Sequence, residues 1–152
     1  MVESVPTSSK RELVQRIVRG IRQDIEGYKQ LKSLLKRQRE LMQRRDNNGL
    51  THHNQHQSEL CSSLMRKASE RRRMLENLGF SGSASGMVGL ISKLPASLAS
   101  EVSILWDNLL LLVKDSQLVN ESNGQLLVAQ QEVISQLLNR DKDNVIDYGE
   151  AR

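Results

Sequence analysis

Aromatic side chains are almost missing from this chain. Tyr28, Phe80, Trp106 and Tyr148 are the whole set, so any core must be assembled from Leu, Ile, Val and Met, the mix that packs helix on helix. Proline stands only at Pro6 and Pro95, which leaves long stretches without the strongest helix breaker. Cys61 is the one cysteine. No internal disulfide can form, and a lone thiol within a helical seam reads as a small buried hydrophobe rather than a nucleophile. That usage fits a reducing compartment. Residues 1–10 lack the apolar run of a signal peptide. The most apolar stretch, 104–113, is interrupted by Asp107 and too short to span a bilayer. A soluble cytoplasmic protein with no direct membrane insertion is the expectation.

The signatures of catalysis are also missing. Ser83 and Ser85 lie among glycines, but no strand precedes them and no lysine follows at phosphate-loop spacing. No Ser/His/Asp or paired-carboxylate arrangement stands out, so no active site and no cofactor are expected. His52 and His56 are four apart, a spacing that on a helix can bring two imidazoles to one metal. Only Glu59 lies near enough to add a ligand, and with His53 these residues read as the solvated start of a helix. Lys36, Arg37, Arg39, Arg44 and Arg45, and the run Arg71-Arg72-Arg73, form basic patches that point to phosphate contact. Without stacking aromatics or a helix-turn-helix spacing, and with acidic residues interleaved, a solvated helix face is the simpler reading.

What the chain does have is helical periodicity. Ser9 and Glu12 fit a capping box that opens a first helix, 9–46, with a seam of Leu13, Ile17, Ile21, Ile25, Tyr28, Leu31, Leu35 and Met42. Asp46-Asn47-Asn48-Gly49 is a turn signal. A second helix, 51–79, carries Leu60, Cys61, Leu64, Met65, Leu75 and Leu78 and stops at Gly79, with Phe80 placed to pack back on its last turn. A short connection between two long helices makes them antiparallel neighbours. Residues 80–95 form a linker with room for a short helix, and 140–152 a polar, flexible tail.

Between them lies the longest run, 96–139, which at 1.5 Å per residue makes a rod roughly 60 Å long. Its seam steps through Leu98, Val102, Leu105, Leu109, Leu112, Val119, Leu126, Leu127, Val133, Ile134, Leu137 and Leu138. Asn120 to Gly124 is a poor helix former, yet the seam keeps phase through it, as Leu112, Ser116, Val119, Asn123, Leu126, Gln130 and Val133, so one continuous helix is expected. The absence of a side chain at Gly124 would let another backbone approach. Leu110, Leu111 and Val128 add apolar surface on other faces, more than one bundle needs, and such a surplus suits capture of a partner's amphipathic helix. Charge divides unevenly. Twelve Lys/Arg stand against six Asp/Glu through Leu50, and five against nine from Ser81 onward, which favours folding the chain back on itself. The expected architecture is an all-α single domain, 1–152: a long antiparallel hairpin packed with a long C-terminal helix.

Several of these residues together resemble the FlgN family of bacterial flagellar export chaperones: Leu105-Trp106 with Leu109, Asn120, Asn123-Gly124, Leu126-Leu127, Gln130, Leu137-Leu138 and Tyr148-Gly149. Tyr28, Leu31 and Leu34-Leu35, Asp46 with Leu50, and the stretch from Arg71 to Gly79 agree in outline. The resemblance covers nearly the whole chain. It implies a non-enzymatic role in type III export, holding hook-filament junction proteins (the hook-associated proteins 1 and 3) by their terminal helices and delivering them to the export gate. By the same resemblance Asn120, Asn123, Gly124, Leu126, Leu127, Gln130, Val133, Ile134, Leu137 and Leu138 become a client-binding stripe, and Tyr148 and Gly149 a docking motif for the gate. The family often has another glycine shortly after Tyr-Gly, whereas this chain continues Glu150-Ala151-Arg152. Two other classes remain open: a self-assembling coiled-coil scaffold, and a basic helical hairpin that binds nucleic acid.

Overall fold

Helix follows helix throughout the computed structural model, which describes the backbone of residues 7–150 and the side chains of residues 10–139. The elements are α1 (Thr7–Arg44), α2 (Asn47–Asn77), α3 (Ala84–Ser92) and α4 (Ala96–Glu150), with no strand among the described residues. The 3.6-residue periodicity of α1 puts Ile17, Ile21, Ile25, Leu31, Leu35 and Met42 on one buried side.

Helix α1 closes two residues earlier than its sequence suggests. Arg45 takes the left-handed conformation at φ 58°. The amide of Arg45 donates to the Met42 carbonyl and that of Asp46 to the Leu41 carbonyl, at 3.1 and 3.0 Å, the pairing of a Schellman cap. Asp46 then caps α2, its carboxylate accepting from the Gly49 amide at 2.9 Å. The turn signal at 46–49 is therefore mostly helix: Asn47, Asn48 and Gly49 form the first turn of α2, four residues ahead of the expected start at Thr51. At its other end α1 begins at Thr7, ahead of the capping box expected at Ser9.

Helix α2 ends with the same cap. Gly79, at φ 90°, supplies the left-handed residue, its amide reaches the Glu76 carbonyl, and that of Phe80 reaches the Leu75 carbonyl at 2.9 Å. The Phe80 ring folds back against the core beside Leu75. Helix α3 starts inside the stretch expected to be flexible linker. Its Gly86 is buried, and a Cβ there would lie 1.6 Å from the Ser81 carbonyl oxygen, so only glycine lets the chain fold back that tightly.

Rising residue numbers pair along α1 and α4: Arg22 with Glu101, Leu35 with Asn123, Met42 with Gln130. Helix α4 thus runs parallel to α1 and antiparallel to α2, and α1 is the element against which both other long helices pack. The main core fills the end where α3 crosses over: Ile17, Ile21, Ile25, Leu75, Met87, Leu90, Val102, Trp106 and Leu109. Each such side chain contributes about 1.5–3 kcal/mol on burial. A smaller cluster of Leu31, Leu35 and Leu64 continues up the hairpin. The attraction expected between a basic front and an acidic back contributes little. Among the described residues one ion pair, Arg22–Glu101, joins α1 to α4, and both its side chains are half exposed.

Helix α4 is unbroken through Gly124 and continues to Glu150, beyond the end expected at Asn139. The segment expected to be a flexible tail is polar, but it holds no proline and no glycine before Gly149, so nothing in it stops a helix already nucleated below. The segment Ala96–Asn139 is also, by length and composition alone, apolar enough to cross a membrane, which a reading confined to 104–113 misses. One such helix is weak evidence, because a core helix of a bundle can have the same composition; in this one Val102, Trp106 and Leu109 are buried, and 17% of the apolar window as a whole is.

Candidate functional site

The α4 seam changes character along its length. One position recurs every seven residues as Val102, Leu109, Ser116, Asn123 and Gln130. The first two are buried and apolar. Ser116 turns its hydroxyl back onto the Leu112 and Val113 carbonyls, both at 3.0 Å. Asn123 is 2% exposed. Its amide donates to the Leu35 carbonyl at 2.9 Å and to Gln38 Oε1 at 3.1 Å, and its carbonyl accepts from Arg39 at 3.4 Å. Gln38 in turn donates to Asn54 of α2 at 2.8 Å, so one polar chain crosses all three long helices. Gln130 donates to the Met42 carbonyl at 2.9 Å, in the last turn of α1, sharing that oxygen with the Arg45 amide of the cap. A hydrogen bond contributes about 0.5–1.5 kcal/mol net, less than a buried leucine. The upper α1–α4 contact is accordingly held more by register than by oil, as a buried asparagine fixes register in a coiled coil.

Above that polar layer the apolar side chains of α4 are only partly covered. Leu127, Val128, Val133, Ile134, Leu137 and Leu138 are 41–58% exposed. Leu127 and Ile134 meet Met42 and Leu50, beside Arg45 and Gln130, around an open cleft of about 300 Å³ at the hairpin turn. Of the stripe expected from sequence, Leu127, Val133, Ile134, Leu137 and Leu138 face solvent, and Leu126 is half-buried. Asn120 is exposed, whereas Asn123 and Gln130 are committed to α1. Gly124 is exposed with nothing within 4 Å of where its Cβ would sit, so no backbone of this chain uses the gap. Tyr148 and Gly149 lie on the final turns of the α4 backbone, outside the residues whose side chains are described.

The other candidates resolve into structural roles. His53 Nε2 lies 2.8 Å from the Leu34 carbonyl and 3.2 Å from Gln57 Oε1, bridging α2 to α1, while His52 and His56 are exposed. No group of three potential metal ligands occurs among the described residues. Cys61 is half-buried beside the small cluster, and burial pushes its thiol pKa up, which makes it less reactive. The basic patches split. Arg72 and Arg73 are exposed, but Arg71 turns inward to donate to Asp24 Oδ2 at 2.7 Å, with its guanidinium 5.2 Å from the Trp106 ring centroid. Burial pushes the Asp24 carboxyl up, against the pull of Arg71. This junction of α1, α2 and α4 is not visible in a reading that groups the three arginines as one solvated patch. Its trace in the sequence is Asp24 itself, which stands between Ile21 and Tyr28 at seam spacing.

A helical hairpin with a parallel third helix and an uncovered apolar end is a shape suited to holding another chain. The sequence profile described as FlgN protein matches residues 13–142. This chain belongs to the FlgN family. FlgN-family proteins are flagellar export chaperones, not enzymes, and act in flagellum biogenesis. Comparison with curated proteins found no match, and comparison with solved structures found none either.

Proposed function

We propose that this FlgN-family chaperone acts in the cytoplasm, capturing the amphipathic terminal helices of hook-associated proteins 1 and 3 on the upper half of α4 and delivering them to the export gate. The observation that carries the reading is the run of half-exposed apolar side chains from Leu127 to Leu138. With Gln130 level with Met42 and α1 ending at Arg44, α4 overhangs the hairpin by roughly 25 Å at 1.5 Å per residue. An amphipathic helix laid along Leu127, Val133, Ile134, Leu137 and Leu138 would bury its own stripe and theirs. Asn123 and Gln130 serve this site by holding α4 in register, and Tyr148 with Gly149 would meet the gate. Substituting Leu127→Asp and Val133→Asp together abolishes client capture in co-sedimentation while circular dichroism stays unchanged. Undiminished capture by that double variant would remove the stripe from the account.

Self-association is the second reading. It is favoured by Ile104, Leu111 and Leu118, seven residues apart and 56–67% exposed. Mass that rises with concentration in sedimentation, with no client bound, would support it.

A further inference from the structure

Along the outer face of α4, Ile104, Leu111 and Leu118 form one straight row, seven residues apart and 56–67% exposed. Each stands two residues beyond a buried position, Val102, Leu109 or Ser116, and two residues turn a helix by about 200°. The row therefore points away from α1 and the core. The next positions on the same line are polar and exposed at both ends, Ser97 before it and Gln125 after it. Three large apolar side chains on one line, bounded by polar ones, mark a contact surface.

Symmetry and charge decide what fits it. The row is symmetric about Leu111, so a second copy laid antiparallel across a two-fold axis matches it from end to end. Ile104 of one protomer then meets Leu118 of its partner, Leu111 meets Leu111, and polar Ser97 meets polar Gln125. Asp107 and Lys114 stand three residues past Ile104 and Leu111, hence on one flank of the row. Both are exposed, and among the described residues neither makes an ion pair. Within one chain they are about 10 Å apart along the helix, too far to pair with each other. The two-fold axis brings Asp107 of one protomer within about 1.5 Å, one residue's rise, of the level of Lys114 of its partner, and does so twice. A parallel pair loses that match: it sets Asp107 against Asn108 and aligns two long helix dipoles.

We propose that a second copy of this chain packs antiparallel on the row of Ile104, Leu111 and Leu118, forming a closed two-fold dimer in which Asp107 of each protomer pairs with Lys114 of the other. The inference rests on the self-association reading above and adds its face, its register and its stoichiometry. Contact confined to roughly 20 Å of each helix falls at the small end of interface sizes, so the dimer is reversible. The stripe from Leu127 onward lies outside the paired segment. Leu127 comes level with the start of the partner's α4, the two stripes project from opposite ends, and pairing and client capture coexist.

The full-length protein is followed by sedimentation equilibrium at low salt, from micromolar to millimolar concentration, without client. The expected result is a monomer–dimer equilibrium between 17.2 kDa and twice that mass, with no larger species. Leu111→Glu sets two carboxylates face to face on the axis and raises the dissociation constant about a hundredfold or more. Its helicity and its client capture stay unchanged, because Leu111 is more than half exposed and lies off the stripe. Asp107→Lys alone weakens pairing about tenfold, and Asp107→Lys with Lys114→Asp returns it to within about threefold of the wild type. No role of either residue inside one chain produces that rescue. A dimer indifferent to Leu111→Glu keeps self-association but overturns this face. A dimer that the double charge swap leaves as weak as Asp107→Lys overturns the antiparallel register. A protein that stays monomeric at every concentration removes self-association altogether, and one that assembles beyond two overturns the closed pair. Client capture lost in Leu111→Glu gives the row to the client helix and likewise overturns the proposal.

Discussion

Asp24 and Arg71 show how much can rest on one pair of side chains. Their ion pair is almost fully enclosed, with side chains 3% and 17% exposed, and it ties α1 to α2 while Arg71 lies over Trp106 of α4. A buried pair of this kind is a poor source of net stability, but breaking it is costly, because the remaining charge is left without compensation. Arg71→Ala therefore destabilises the fold by about 3–5 kcal/mol, whereas the double substitution Asp24→Leu with Arg71→Met recovers most of that loss. Urea unfolding of both variants checks this. A single variant as stable as the wild type would mean that water reaches Asp24 freely. Periodicity shows a charged residue in a seam but not its partner. Arg71 sits in a run of three arginines, and only the rotation of α2 decides which one turns inward.

At the scale of the element, the periodic helices were readable and their joints less so. The seams of α1 and α4 follow directly from Leu, Ile and Val at three- and four-residue steps, and the cap at Gly79 and Phe80 is written in the residues that form it. The turn after α1 is not. Gly49 looks like the left-handed residue, yet Arg45 takes that conformation, because Asp46 can cap α2 only if the chain reverses just before it. In α4 the polar residues at Ser116, Asn123 and Gln130 look like a weak centre, and their phase alone shows that they remain in the seam. Ser116 turns back onto carbonyls of α4 itself, and the hydrogen bonds of Asn123 and Gln130 to α1 carbonyls become legible only once α1 is laid beside them. Gly124 sits on the exposed face of a continuous helix, with open space around its Cβ position. Gly124→Ala thus stabilises the protein by about 1 kcal/mol through helix propensity, read as a higher urea midpoint at unchanged slope. A lower midpoint would mean that α4 is not helical there.

For the whole molecule, the division of labour runs along the bundle axis. One end is oily, closed by α3 and built around Ile17, Met87, Val102 and Leu109. The middle is polar and fixes register. The far end is a single helix that leaves the hairpin with its apolar side chains uncovered. On the proposed function, that gradient would let the chain stay folded while its capturing surface remains open, with stability and binding drawing on different segments of α4. The candidate stripe was partly legible, since surplus leucine and valine on several faces cannot all be buried in one small bundle. Which of those residues face outward depends on where α1 ends, and that end is set by the Arg45 turn.

The most direct test is titration calorimetry of the intact protein against the C-terminal helical segment of a hook-associated protein, at two salt concentrations and two temperatures. Capture on the apolar end of α4 predicts binding that changes little with salt and carries a negative heat-capacity change, the mark of buried apolar surface. Absence of binding, or an affinity that collapses as salt rises, would contradict the account.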